Sequence, residues 1–311
     1  MNNMKAVVYE KYGSPEVLHL KDIPKPVPKD NEVLIKIHAT TVHRGDVRMR
    51  SLDLPVPGWQ KLMARLFLGI RGPKRKILGM ELAGVIEEVG SQVSRFKVGD
   101  QIFASTIKAN FGAYAEFKCM KEDGIIALKP TNMSFEESAT VPNGAYTALG
   151  IIRIAKIRQG MTIMIYGASG SVGSFAIQFA KNLGAEVTAV CSSKSMDVVK
   201  SIGIDKIIDY TSSDFTNVNE KFDVFFDAVG KLPKSEGLRF LKPTGVYLNV
   251  HITSDKIKEK QEIVINELKN LIEQGKLNTL IDKQYTFDEI VEAHHYVDSG
   301  HKKGNVVVKV F

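Results

Sequence analysis

The sequence predicts an α/β chain in which a doubly wound parallel sheet is joined to a β-rich part that is discontinuous in sequence. Three observations carry this. A strand–turn–helix unit with three spaced glycines begins at Met161. Strands and helices alternate after it, which calls for a parallel sheet with right-handed crossovers. The stretches before and after are made of short strands and glycine turns. Residues 1–124 are therefore expected as a β-rich domain completed by 276–311, and 125–275 as a dinucleotide-binding domain.

In order along the chain, 4–9 and 18–22 read as short strands around a Gly13-Ser-Pro15 turn, and Pro24, Pro26 and Pro28 keep the next stretch extended. Residues 32–38 alternate as a strand does. Residues 39–50 then leave it, carrying His43, Arg44, Asp46 and Arg48. Residues 52–76 open with Pro55 and Pro57, and place Trp59, Leu62, Met63, Leu66 and Ile70 near one helical face, with Lys61 and Arg65 off it. Such a stripe suits a lid over a substrate site or a membrane-surface helix, but packing on its own domain is the expectation. Strands at 77–90 and 96–103 and around 112–117 complete the β-rich part, and 130–155 reads as helical. Beyond the glycines, strands are expected at 206–209, 223–227 and 245–250, and helices at 195–202, 235–241 and 256–274. A helix over 287–297, whose His294 and His295 read as structural, and a strand over 305–310 close the chain.

The glycine unit runs Met161-Thr-Ile-Met-Ile-Tyr-Gly-Ala-Ser-Gly-Ser-Val-Gly173. Residues 161–166 are nearly all apolar, as a strand buried on both faces requires. Gly167, Gly170 and Gly173 follow in G-x-x-G-x-x-G spacing, then an apolar helical face of Val172, Phe175, Ala176, Phe179, Ala180 and Leu183. A pyrophosphate must approach the backbone closely at such a helix N-terminus, where free N–H groups and the dipole favour negative charge. The loop has no lysine for a P-loop, and Gly167-Ala-Ser-Gly-Ser171 is not the G-x-S-x-G of a nucleophile elbow. In NAD-binding units an acidic residue about 20 residues on bonds the ribose 2′-OH. Here that place reads Cys191-Ser-Ser-Lys194, with hydroxyls and an ammonium for a 2′-phosphate and no carboxylate, so the expected cofactor is NADP(H).

The net charge of +7 suits an anionic ligand. The positive charge is spread out, apart from small clusters at Lys74-Arg-Lys76 and Lys302-Lys303, and no aromatic-interleaved basic stripe is present, so a nucleic-acid partner is not expected. No apolar run approaches about 18 residues and the first residues do not read as a signal peptide, so no membrane partner is expected either. Cys119 and Cys191 fit no metal or redox spacing and, as free thiols, suit a cytoplasmic protein.

Several pieces together resemble the medium-chain dehydrogenase/reductase superfamily, in its zinc-free quinone oxidoreductase (zeta-crystallin-like) branch. They are Gly79-Met-Glu-Leu-Ala-Gly-Val-Ile-Glu-Glu-Val-Gly90, Phe96-Lys-Val-Gly-Asp100, Gly112-Ala-Tyr-Ala-Glu116, Tyr166-Gly-Ala-Ser-Gly-Ser-Val-Gly173, Phe226-Asp-Ala-Val-Gly230 and Gly300-His-Lys-Lys-Gly-Asn-Val-Val307. The resemblance implies a GroES-like catalytic domain, a Rossmann domain and an active site in the cleft between them. It implies that Ala168, Ser169, Gly170, Ser171, Val172 and Gly173 cradle the pyrophosphate and that Ser193 and Lys194 meet the 2′-phosphate. Val229 and Gly230 would lie near the adenosine half, and Asn305 near nicotinamide or substrate. His43 and Asp46 would face the reacting groups, with Tyr114 a weaker candidate donor.

Zinc members of the superfamily carry ligands where this chain has His43, Met80 and Asn143, and thioether and amide are poor zinc donors, so no metal is expected. Without a Lewis acid, the reaction the resemblance implies is hydride transfer from NADPH to a quinone or an α,β-unsaturated carbonyl, with the proton taken from water. A nucleotide-gated binding protein, for example for RNA, is the alternative from another class. The chain is shorter than the family between Val250 and Glu267. A homodimer is compatible with the family, but the edge it uses lies in that shortened region.

Overall fold

A computed structural model describes residues 3–54, 58–204, 206–212, 215 and 218–311, except for the side chains of Ala64 and Phe67. The expected roles of Pro55 and Pro57 lie outside them. The chain divides into two units, Met1–Pro142 with Ile281–Phe311, and Asn143–Leu280.

The first unit is built on a seven-stranded sheet. Its order is Ile281–Thr286, Asn305–Lys309, Glu32–Thr41, Glu81–Val89, Gln101–Ser105, Ile126–Leu128, with Phe117–Lys121 also pairing Glu32–Thr41. All its pairs are antiparallel except Ile281–Thr286 with Asn305–Lys309. Glu32–Thr41 is the organising strand. Alternation sends Val33, Ile35 and Ile37 into a core with Leu82, Ile86, Phe96 and Ile102. A second core gathers Val47, Leu78, Tyr114, Ile290, Val297 and Val306 under the short helices. Gly84 lets the two longest strands close up, because a Cβ there would lie 2.1 Å from the Lys36 carbonyl oxygen. A separate hairpin pairs Asn3–Val8 with His19–Pro24.

Helix Gly58–Leu68 departs from the packing expectation. Trp59, Leu62, Met63 and Leu66 are 46–69% exposed, and Ile70 beyond the helix is exposed too. Among the described side chains of this helix, Leu68 reaches the core. The helix expected over 130–155 is two helices, Phe135–Ala139 and Gly144–Ala155. Ser134 and Glu137 form a capping box on the first. Pro142 lacks an N–H and pushes the residue before it out of the helical region, so the pattern cannot run through.

The second unit holds a five-stranded parallel sheet in the order Ile207–Asp209, Glu186–Cys191, Thr162–Tyr166, Phe222–Asp227, Leu241–Asn249. In chain order this is 3-2-1-4-5, the doubly wound arrangement without a sixth strand. Central positions such as Ile163, Met164, Ile165, Val224, Phe225 and Phe226 are fully buried, which explains their unbroken apolar runs. Helix Gly144–Ala155 packs on helix Ser171–Asn182. The shortened region accounts for the missing strand. Leu241–Asn249 passes directly into a short helix, Val250–Ser254, and the helix expected from 256 begins at Gln261. The strand left at this edge contains Lys242 and Pro243, residues that discourage pairing with a second sheet. Among the described residues, no helix is long and apolar enough to cross a membrane.

Candidate active site

In the second unit the glycines do what the spacing requires. Gly167 turns the chain at φ +80°. Gly173 packs against that turn, since a Cβ on it would lie 2.3 Å from the Gly167 carbonyl oxygen. Helix Ser171–Asn182 starts after Gly170, whose carbonyl accepts from the Ser174 N–H at 2.9 Å. The N–H groups of Ser171, Val172 and Gly173 therefore have no acceptor within the helix. Beside them, the Ser171 hydroxyl oxygen is buried with no hydrogen-bond partner. Gly144 makes room for it, as a Cβ there would lie 2.2 Å away. Leaving a buried hydroxyl unpaired costs about 1–3 kcal/mol. Donors in excess, no acid in the turn and one orphaned hydroxyl fit a pyrophosphate. Ser169 stands half-buried in the turn, whereas Ala168 is buried and spends its N–H on the Val190 carbonyl at 3.1 Å.

Ser193 and Lys194 lie exposed just past strand Glu186–Cys191. The expectation of no carboxylate there needs correction. Parallel pairing sets Asp209 opposite Cys191, and the Ser193 hydroxyl donates to the Asp209 carboxylate while lying 2.6 Å from the Thr211 hydroxyl. These donors hold Asp209 well below the usual carboxylate range. The acid comes from the third strand, a position that spacing along the second cannot show. Val229 and Gly230 form a loop held by Asp227, which is fully buried and accepts from the N–H groups of Val229 (3.0 Å), Gly230 (2.8 Å) and Leu232 (3.0 Å). Asn249 caps the next helix through the His251 N–H at 3.0 Å, and the His251 ring covers Gly230, where a Cβ would lie 2.3 Å from it. Asp227, Asn249 and His251 were not singled out from sequence.

The first unit brings His43, Asp46, Tyr114 and Asn305 into one region. His43 caps helix Arg44–Ser51, and its Nδ1 accepts the Gly45 N–H at 3.1 Å. The ring proton is thereby placed on Nε2. Burial, with Lys302 and Arg48 nearby, pushes the imidazole down to about 4, so it is neutral at pH 7. Asp46 is fully buried. Its carboxylate accepts the Gly79 N–H at 2.9 Å and the His43 N–H at 3.0 Å, and burial raises it to about 7. It is a brace for His43 and not a group open to substrate.

Tyr114 is corrected in the same way. Fully buried, it holds its hydroxyl 3.3 Å from the Thr41 carbonyl and 3.2 Å from His294 Nε2. Arg50 extends this chain, with Nη1 3.2 Å from His294 Nδ1 and Nη2 2.6 Å from Asp298. Guanidinium can only donate, so His294 Nδ1 accepts, Nε2 carries the proton, and the Tyr114 hydroxyl is left to donate onward.

Asn305 is buried at the start of its strand, where Val42 N–H reaches the Val306 carbonyl at 2.9 Å. Half-buried Lys302, in the loop before it, was read from sequence only as part of a basic cluster. Burial brings its ammonium down to about 8, against the pull of Glu81 and Asp282, and among described contacts it donates only to the Gly304 carbonyl at 2.9 Å.

Known proteins share this architecture. Residues 29–145 match the alcohol dehydrogenase GroES-like domain, and 171–277 and 251–308 match zinc-binding dehydrogenase profiles. The chain is 32% identical to 2-methylene-furan-3-one reductase of Solanum lycopersicum, over 99% of this chain and 79% of that protein. The chain belongs to the medium-chain dehydrogenase/reductase superfamily. Another member, the chloroplastic NADPH-dependent alkenal/one oxidoreductase of Arabidopsis thaliana, is 31% identical over 98% of this chain and 79% of that one. The solved quinone oxidoreductase of Coxiella burnetii superposes with a TM-score of 0.85 at 27% identity, covering 100% of both chains.

The zinc named in the superfamily profiles does not fit these residues. At the corresponding positions His43 has Nδ1 engaged, Met80 offers a thioether, and Asn143 accepts from Gln261 Nε2 at 3.2 Å. Among the described residues, no cluster of three or more His, Cys, Asp or Glu could hold a metal ion.

Proposed function

We propose that this chain is an NADPH-dependent oxidoreductase that reduces a quinone or an α,β-unsaturated carbonyl without zinc. The unit Asn143–Leu280 holds the cofactor and the other unit acts on the substrate. The observation that carries the reading is the orphaned Ser171 hydroxyl beside three helix-terminal N–H groups. It has the donors of a dinucleotide site, in a chain whose relatives are named as NADPH-dependent alkenal/one and quinone oxidoreductases.

The bound nicotinamide supplies the hydride. Ser171, Val172 and Gly173 bind the pyrophosphate. Lys194 pairs with the 2′-phosphate, and Ser193 reaches it by turning from Asp209. Neutral His43 offers its Nε2–H to the acceptor's carbonyl oxygen, where negative charge develops, as a neutral imidazole does in other reductive and enolising sites. Asp46 holds that ring through the His43 N–H. Lys302, with an acidity near neutrality, is suited to return the proton that sequence reasoning assigned to water. The free thiols of Cys119 and Cys191, pushed up to about 11 by burial, suit a reducing compartment such as the cytosol.

NADPH oxidation measured with a simple quinone and with an alkenal tests this, with NADH as control. Rapid turnover of either acceptor with NADPH supports the reading. Absence of turnover with both acceptors and of NADPH binding overturns it.

A further inference from the structure

Helix Gly58–Leu68 keeps Trp59, Leu62, Met63 and Leu66 on the outside. At 100° per residue, Leu62, Leu66, Trp59 and Met63 fall within one sector, and Leu68, which packs on the core, falls on the opposite side. The stripe therefore points away from the body of its unit. Ile70 continues it, also exposed.

Within the stretch that contains it, the charge is of one sign. Between Leu54 and Met80 the chain has Lys61, Arg65, Arg71, Lys74, Arg75 and Lys76 and no Asp or Glu. Lys61 is 3.8 Å from the exposed Asp53, Lys76 is 4.0 Å from Glu10, and Arg75 lies over the Phe111 ring. Arg65 and Lys74 donate to the backbone carbonyls of Ile70 and Leu66, which neutralise no charge. An exposed apolar face bordered by six cations against two neighbouring acids matches an anionic lipid surface. Indole and aliphatic groups enter the boundary, and the long basic side chains reach the headgroups. A second copy of this chain would bring the same cations against each other.

We propose that helix Gly58–Leu68 and the following basic turn dock the enzyme peripherally on anionic membranes. This replaces the sequence-based expectation of no membrane partner, and it stands independently of the reaction catalysed. An apolar quinone or enone partitions into the same boundary, so docking would bring the enzyme to its acceptor.

Trp59 is the single tryptophan of the chain and reports on the docking directly. The full-length protein is mixed with phosphatidylcholine vesicles, with and without phosphatidylserine in a ~2:1 ratio. The expected result is a blue shift of Trp59 emission, quenching by brominated lipid, and co-sedimentation only when phosphatidylserine is present. Binding should fall with added salt. Lys61→Glu with Arg65→Glu should weaken it by at least about 25-fold, at roughly fivefold per cation. Leu62→Glu should abolish it. All three positions are exposed, and an unchanged thermal midpoint checks that the variants fold. No shift and no co-sedimentation at low salt would overturn the proposal. So would a blue shift produced by NADPH or acceptor alone, which would make the helix a lid, or concentration-dependent dimerisation lost in Leu62→Glu.

Discussion

Two buried polar sites, one in each unit, are handled in opposite ways. In the first, Arg50, His294, Tyr114 and Asp46 are buried together, and each meets partners within the protein. In the second, the Ser171 hydroxyl is buried and left unpaired beside three N–H groups that have no acceptor within their helix. A satisfied network rigidifies, while an unsatisfied group at a helix N-terminus stores a cost that a ligand removes. The first region is satisfied within the protein, and in the function proposed above the second is completed by the cofactor.

The largest test of this contrast is Arg50→Ala. It leaves the Asp298 carboxylate and His294 without their donor, and stability should fall by about 3–5 kcal/mol. Urea unfolding would measure this, and a loss under about 1 kcal/mol would break the comparison. Lys302→Met removes an ammonium that, among described contacts, donates only to the Gly304 carbonyl. Its kcat should fall by about 100-fold with little change in NADPH affinity. In the parent, rate should decline as pH rises through about 8, where the ammonium loses its proton, and the variant should lose that limb. Ser171→Ala should act with opposite signs. NADPH affinity, read by fluorescence titration, should drop about tenfold, while the cofactor-free protein should gain up to about 1 kcal/mol because the orphan is gone. A stability loss instead would show that Ser171 is an ordinary structural residue. The smallest effect belongs to Asp209→Asn, which removes the charge beside Ser193. NADPH binding should tighten by about fivefold relative to NADH.

The sequence read the second unit more fully than the first. The apolar run 161–166, the three glycines and the helix after them sit within one stretch of chain, so short-range chemistry was enough to place the strand, the glycine turn and the helix. The superfamily, the α/β class and the cofactor were legible for the same reason. Asp209 was missed because its approach to Ser193 depends on which strand neighbours which. In the first unit, His43 and Asp46 are three residues apart, yet their roles depend on Gly79, Tyr114 and Lys302 arriving from far along the chain. Residues 52–76 were legible as an amphipathic helix, but not which way the stripe faces.

What the sequence determined alone is therefore local. It sets the βαβ unit, the class of cofactor, the poor zinc donors at Met80 and Asn143, and the loss of a strand after Val250. Those features follow from backbone preference, periodicity and donor chemistry, which act over a few residues. Only the tertiary structure decided that Tyr114 is sealed into a core network, that Asp46 serves as a brace, and that Trp59 looks outward. Those outcomes depend on burial and on partners tens to hundreds of residues apart. Burial sets the free energy of a charge or an unpaired hydroxyl, and periodicity does not encode it.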